Sequence, residues 1–203
     1  MKRFLQAFSG ILLLTFTVTG SAAVITDLYG DKDGFGIGVT DGTTFTMTDV
    51  VTEVDDAPFT DRINRGSVSY SHTYDLTGLG PIINASLEIF TAGSGYARGL
   101  PPNVVYFMAD VYADTTYLGT LSLGDTGSTT VIANLDIFNL TPFSAQLTGA
   151  TQLTIDAFLL DAWLLDYSEL TITTADVPEP SILSLLGLGL LGFGVARRRK
   201  IAA

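Results

Sequence analysis

Ser67–Leu76 reads SVSYSHTYDL, and its side chains alternate. Val68, Tyr70, His72, Tyr74 and Leu76 fall on one face of an extended chain, with Ser69, Ser71 and Thr73 on the other. A period of two belongs to a strand with one face buried, whereas a helix repeats every 3.6 residues. Ile83–Phe90 alternates as well, and NVVYFMADVYADTTYLGTLSL, TTVIANLDI and TQLTIDAF are rich in Val, Ile, Thr and aromatics. Turn-forming residues separate these runs, as in LTGLGP, AGSGYARGLPPN, LGDTGS and NLTPF. No clean helical stripe interrupts them. The pattern predicts an all-β fold, an antiparallel β-sandwich of the jelly-roll type, over residues 24–176. Asp55–Gly66 and Ala92–Asn103 read as long loops, where such domains often carry a binding surface.

The segments on either side have a different character. MKRFLQAFSGILLLTFTVTGSAA opens with Lys2 and Arg3, continues through an apolar core from Ile11 to Val18, and ends in small residues. That order is the one of a secretory signal peptide, residues 1–23, with cleavage expected after Ala23. The chain has no cysteine, so no disulfide framework holds the domain, and its stability must come from a packed core or from a core plus bound ions. Between residues 24 and 176 four cations stand against twenty acids, a net charge of −16. A field of that sign repels nucleic acid and favours solubility and cation binding, although solvated surface is the ordinary role of acidic residues.

After Val177 come Pro178, Glu179 and Pro180, then sixteen small or apolar residues from Ser181 to Ala196, then Arg197, Arg198, Arg199 and Lys200. As a short hydrophobic helix the apolar run would span about 24 Å, less than the roughly 30 Å of bilayer hydrocarbon. The basic cluster would stay on the cytoplasmic side. Gly187 to Gly192 spells G-x-G-x-x-G, but the strand and βαβ unit that a dinucleotide fingerprint requires are missing. The Pro-Glu-Pro motif, the apolar run and the basic cluster together resemble a PEP-CTERM sorting signal, over residues 177–203 only. The resemblance implies recognition by an exosortase, a multi-pass membrane enzyme of Gram-negative bacteria, with cleavage near Pro178–Pro180. It implies transient residence in the inner membrane, then the cell surface or extracellular matrix, and a link to extracellular polysaccharide and biofilm. It implies no particular fold for residues 24–176.

Within the domain, Asp27, Asp31 and Asp33 are followed by Gly34 and Gly36. Closely spaced carboxylates with glycines at a tight turn suit a hard cation such as calcium. The Asp31-x-Asp33-Gly34 core resembles the start of an EF-hand loop but lacks its later acids, and an Asp/Gly turn accounts equally well for the same residues. In jelly-roll carbohydrate-binding modules the first and last strands lie side by side and often share a calcium ion. By that fold analogy Asp166 completes the set. His72, the one histidine, lies on the apolar face of its strand and reads as a structural residue; it excludes a two-histidine metal site.

Two functional readings compete. In one, the sandwich binds extracellular polysaccharide, with Tyr96 and Arg98 in a Gly-rich loop and Trp163 as candidate sugar contacts. Leu164 and Leu165 beside Trp163 make core packing the alternative for that ring. In the other, the protein is a structural surface or matrix component without a discrete ligand site. No nucleophile elbow or distinguished carboxylate pair marks an enzyme, and none is expected.

Overall fold

The computed structural model describes residues 22–50, 66–98, 105–125, 129–157, 163–177, 187 and 189, with backbone alone at 96–98 and 105–107. The chain divides into two units, Ala22–Ala175 and a second that gathers Met1–Ser21 with Asp176–Ala203. Most of the expected signal peptide, most of the Asp55–Gly66 loop, and the sorting-motif residues Pro178, Glu179, Pro180, Arg197, Arg198 and Arg199 lie outside the described residues. Within the expected hydrophobic helix, Gly187 and Gly189 are helical and the rest lies outside. Among the described residues no helix is long and apolar enough to cross a membrane.

Ala22–Ala175 is built of strands: β1 (Val24–Gly30), β2 (Thr44–Thr46), β3 (Val68–Thr73), β4 (Ile82–Ala92), β5 (Gly95–Arg98), β6 (Val105–Met108), β7 (Asp110–Ala113), β8 (Thr116–Thr120), β9 (Thr130–Asn139), β10 (Ala150–Asp156) and β11 (Leu164–Thr174). Their pairings are antiparallel. One sheet runs β1-β11-β4-β9-β2 and the other β3-β10-β7-β8, with β5-β6 as a separate ribbon. That ribbon is a correction: Ala92–Asn103, expected as a loop, contains strand β5. Glycine-rich sequence lowered its strand signal, but Gly95–Arg98 pairs with Val105–Met108 across the ribbon.

The two larger sheets share a core. Tyr70 of β3, Val111 of β7 and Leu153 and Ile155 of β10 cluster with Leu87 and Ile89 of β4 and Leu170 and Ile172 of β11. On β3 the alternation holds, with Tyr70 and His72 buried and Ser69 and Ser71 exposed. Trp163 belongs to this core and is fully buried, its indole N–H donating to the Gly66 carbonyl at 2.9 Å. An enclosed ring offers no face to a sugar, which removes Trp163 from the expected glycan contacts.

One irregularity positions the site. In the β11–β4 pairing Leu165 lies opposite Thr91 and Tyr167 opposite Phe90, so Asp166 is an extra residue in a β-bulge. Leu165, Leu170 and Ile172 all join the inter-sheet core, although odd and even positions of a regular strand cannot share a face. Leu164 joins a second cluster with Phe35, Phe90, Ala92, Val131 and Ala133. The bulge therefore exchanges the faces of β11 at Asp166. Gly30 at the end of β1 faces the bulge with φ +97°, and a Cβ there would lie 2.1 Å from the Asp166 carbonyl oxygen. Only glycine fits.

These face assignments predict unequal responses to truncation. Leu87→Ala should lose about 2–5 kcal/mol of stability in urea denaturation. Ile137→Ala, at a position 62% exposed, should lose no more than about 0.5 kcal/mol. Equal losses would contradict the assigned core.

Candidate functional site

The segment after β1 bends back on itself. Lys32, Gly34, Phe35, Gly36 and Gly38 all have positive φ, from 60° to 73°. For Lys32 and Phe35 this left-handed conformation costs about 1–2 kcal/mol each. Phe35 is held there by burial and by stacking on Phe45 and Phe90, at centroid distances of 5.3 and 5.2 Å. Such ring pairs contribute about 0.5–1.5 kcal/mol each, enough to offset the backbone strain. Lys32 pairs with Glu169 at 2.9 Å and places its ammonium 4.5 Å from the centre of the Tyr167 ring.

The bend gathers carboxylates. Asp31, Asp33 and Asp166 each offer an oxygen within 4.8 Å of the others'. The loop's backbone orients them: Asp166 Oδ1 accepts from Gly34 N at 3.1 Å and Phe35 N at 2.9 Å. Asp33 Oδ1 accepts from Gly36 N at 2.7 Å, and Asp31 Oδ1 more weakly from Asp33 N at 3.4 Å. Asp166 is 1% exposed, yet its Oδ2 has no hydrogen-bond partner. Burial, with the charges of Asp33 and Asp31 adding and the Phe35 N–H opposing, pushes its pKa up to about 6. Unit charges no more than 4.8 Å apart repel by at least about 3.5 kcal/mol at an effective dielectric near 20, so the ionised cluster is unfavourable without a counter-charge. A groove of about 290 Å³ opens beside it, lined by Lys32, Thr40, Asp41, Leu135, Tyr167 and Asp166 among others. The oxygen-only donor set suits calcium chemically.

The structure thus brings together three of the four expected metal-ligating residues. Asp27 is not among them. It lies within β1, ahead of the bend, and its Oδ2 is 2.9 Å from His72 Nδ1 and accepts from Thr73 N at 3.1 Å. Tyr96 and Arg98 lie on β5, and their side chains fall outside the described residues. Sequence reasoning missed Gly30, whose close approach admits the bulge, and the Gly34 and Phe35 amides; the closely spaced glycines were the available signal.

His72 has a second partner, Ser168 Oγ, 3.0 Å from its Nε2. Burial lowers the imidazole pKa below its ordinary 6.5, outweighing the hydrogen bond and charge of Asp27. The neutral ring then donates from Nδ1 to Asp27 and accepts the Ser168 hydroxyl proton at Nε2. The connectivity is that of a nucleophile, base and acid. Ser168 is fully buried, however, so no substrate carbonyl reaches its Oγ. The chain of contacts works as a polar clasp between β3 of one sheet and β1 and β11 of the other.

Residues 176–200 match the family model of the PEP-CTERM protein-sorting motif. The match leaves the β-domain unassigned. It points to an exported protein, processed by an exosortase and sorted to the cell surface. No curated protein matches the chain.

The clasp predicts a pH dependence. A folded-state pKa below 6.5 means that the unfolded chain takes up the His72 proton first. The stability contributed by neutral His72 is present above pH 6.5 and lost as pH falls through the folded pKa. In urea titrations from about pH 8 to about pH 5, the advantage of wild type over His72→Gln should shrink. A constant or widening advantage would contradict the buried neutral ring.

Proposed function

We propose that this chain is an exported surface or matrix protein, released or anchored through an exosortase, whose β-domain binds extracellular polysaccharide without catalysing a reaction. The sorting-motif match carries the export half of this reading. The strand order supports a jelly roll. With β1, β3, β4, β7, β8, β9, β10 and β11 taken as eight successive strands, one sheet runs first, last, third, sixth, and the other second, seventh, fourth, fifth. Folds of this class commonly host glycan sites, which is support by analogy.

A glycan surface needs accessible rings. Tyr96 with Arg98 on β5 remains one candidate. Tyr117 on β8 is another: it is 52% exposed, and the Tyr112 ring of the adjacent strand β7 lies 5.5 Å away. Stacking a sugar on one ring stabilises by about 1–2 kcal/mol before ordering costs, so retention requires many copies acting on one polymer. The acidic domain favours a neutral polymer, or an anionic one bridged by cations.

A second reading, a structural matrix protein with no ligand site, is favoured by one observation. Tyr70, Tyr74, Phe35, Phe90 and Trp163 are all buried, so these rings serve packing.

Two measurements test the proposal. Intact mass of the protein recovered outside the inner membrane of its native host should fit a chain that begins near Val24 and ends near Pro178–Pro180. A species retaining Arg197–Lys200 there would contradict exosortase processing. The recombinant chain should be retained on polysaccharide purified from that host, and Tyr96→Ala combined with Tyr117→Ala should abolish retention. Absent or unchanged retention would replace the glycan reading with the structural one.

A further inference from the structure

We propose that Asp31, Asp33 and Asp166 form a binding site for a single calcium ion that fastens the bend after β1 to the bulge of β11. The spacing fits the ion. Calcium–oxygen distances are about 2.3–2.6 Å, so two oxygens on one calcium are at most about 4.6–5.2 Å apart. The three carboxylate oxygens lie within 4.8 Å of one another. Magnesium, with distances of about 2.0–2.1 Å and a strict octahedral preference, dehydrates reluctantly and is usually held by one or two carboxylates and several waters, which suits three converging carboxylates less well.

An acidic cluster on a surface would not by itself imply an ion, but Asp166 is not on the surface. The residue is 1% exposed, Oδ1 is held by the Gly34 and Phe35 amides, and Oδ2 has no partner. Buried polar atoms are almost always satisfied, so an unpartnered carboxylate oxygen among other carboxylates points to a cation. Lys32, the neighbouring cation, is committed to Glu169 and the Tyr167 ring. The chain has no cysteine and His72 is engaged by Asp27 and Ser168, so neither a thiolate nor a free imidazole is offered to a softer metal among the described residues. The adjoining groove is lined by Asp166 and gives a hydrated ion a path to that residue.

The site does not depend on glycan binding, and its test contains no polysaccharide. The purified full-length chain is melted in excess calcium and in chelator, and titrated with calcium by calorimetry. The expected result is one ion per chain and a Tm higher by roughly 5–10 °C at calcium about a hundredfold above Kd. Asp31→Asn with Asp33→Asn, and separately Asp166→Asn, should remove both signals. Asp166→Asn keeps the Oδ1 acceptor for the Gly34 and Phe35 amides, so loss of binding in a variant that still melts cooperatively reports on the ion rather than on folding. Asp27→Asn should keep the calcium response. Three results would overturn the proposal: no Tm shift and no binding heat in wild type, which would leave a proton shared between the carboxylates as the occupant; an undiminished response in the triad variants; or an equal Tm shift with magnesium, which would remove the calcium assignment.

Discussion

The Asp166 carboxylate is buried where β11 departs from regular pairing, and much of the local backbone is arranged around it. The bulge turns it away from the inter-sheet core, into which alternation from Leu170 and Ile172 would have aimed it. Gly30 leaves room for the bulge on one side. On the other, Gly34 and Phe35 turn their amides toward Oδ1, and Phe35 fixes that turn by burying its ring against Phe45 and Phe90. A buried anion is expensive unless it is paired or fully hydrogen-bonded. Here one oxygen is satisfied and the other is not, and that deficit is what the proposed calcium ion would make good.

The same β-domain contains a second buried polar constellation with no such deficit. His72 is satisfied at both ring nitrogens, by Asp27 and Ser168. The contrast separates the two sets of carboxylates that look alike in sequence. Asp27 belongs to a closed clasp between the sheets. Asp31 and Asp33 belong to an open cluster beside a groove. In a chain without cysteine, the clasp ties β1 and β11 of one sheet to β3 of the other, strands that are distant in sequence.

How far these features were legible in the sequence depended on the range of the interactions. The period of two in Ser67–Leu76 is local and translates directly into the buried and exposed faces of β3. Asp31, Asp33 and their glycines are also local, and their grouping was readable. Asp27 was grouped with them because sequence spacing does not reveal that β1 continues to Gly30 and carries Asp27 to the sheet interface. Its partner His72 is 45 residues away, and no local pattern joins the two. Asp166 was reached only through analogy, because a bulge has no strong sequence mark. Trp163 fell among the candidate contacts although its Leu neighbours pointed inward, and the structure encloses it. The tail is the opposite case: its motif, apolar run and basic cluster are contiguous, and the family match over residues 176–200 rests on the same residues.

The account turns on what completes the Asp166 carboxylate. A crystal structure of the mature protein grown in calcium, with anomalous difference maps, answers this at the atom concerned. The account predicts a single strong anomalous peak about 2.3–2.6 Å from carboxylate oxygens of Asp31, Asp33 and Asp166. A water molecule or an empty space at that position, with calcium in excess, would contradict it.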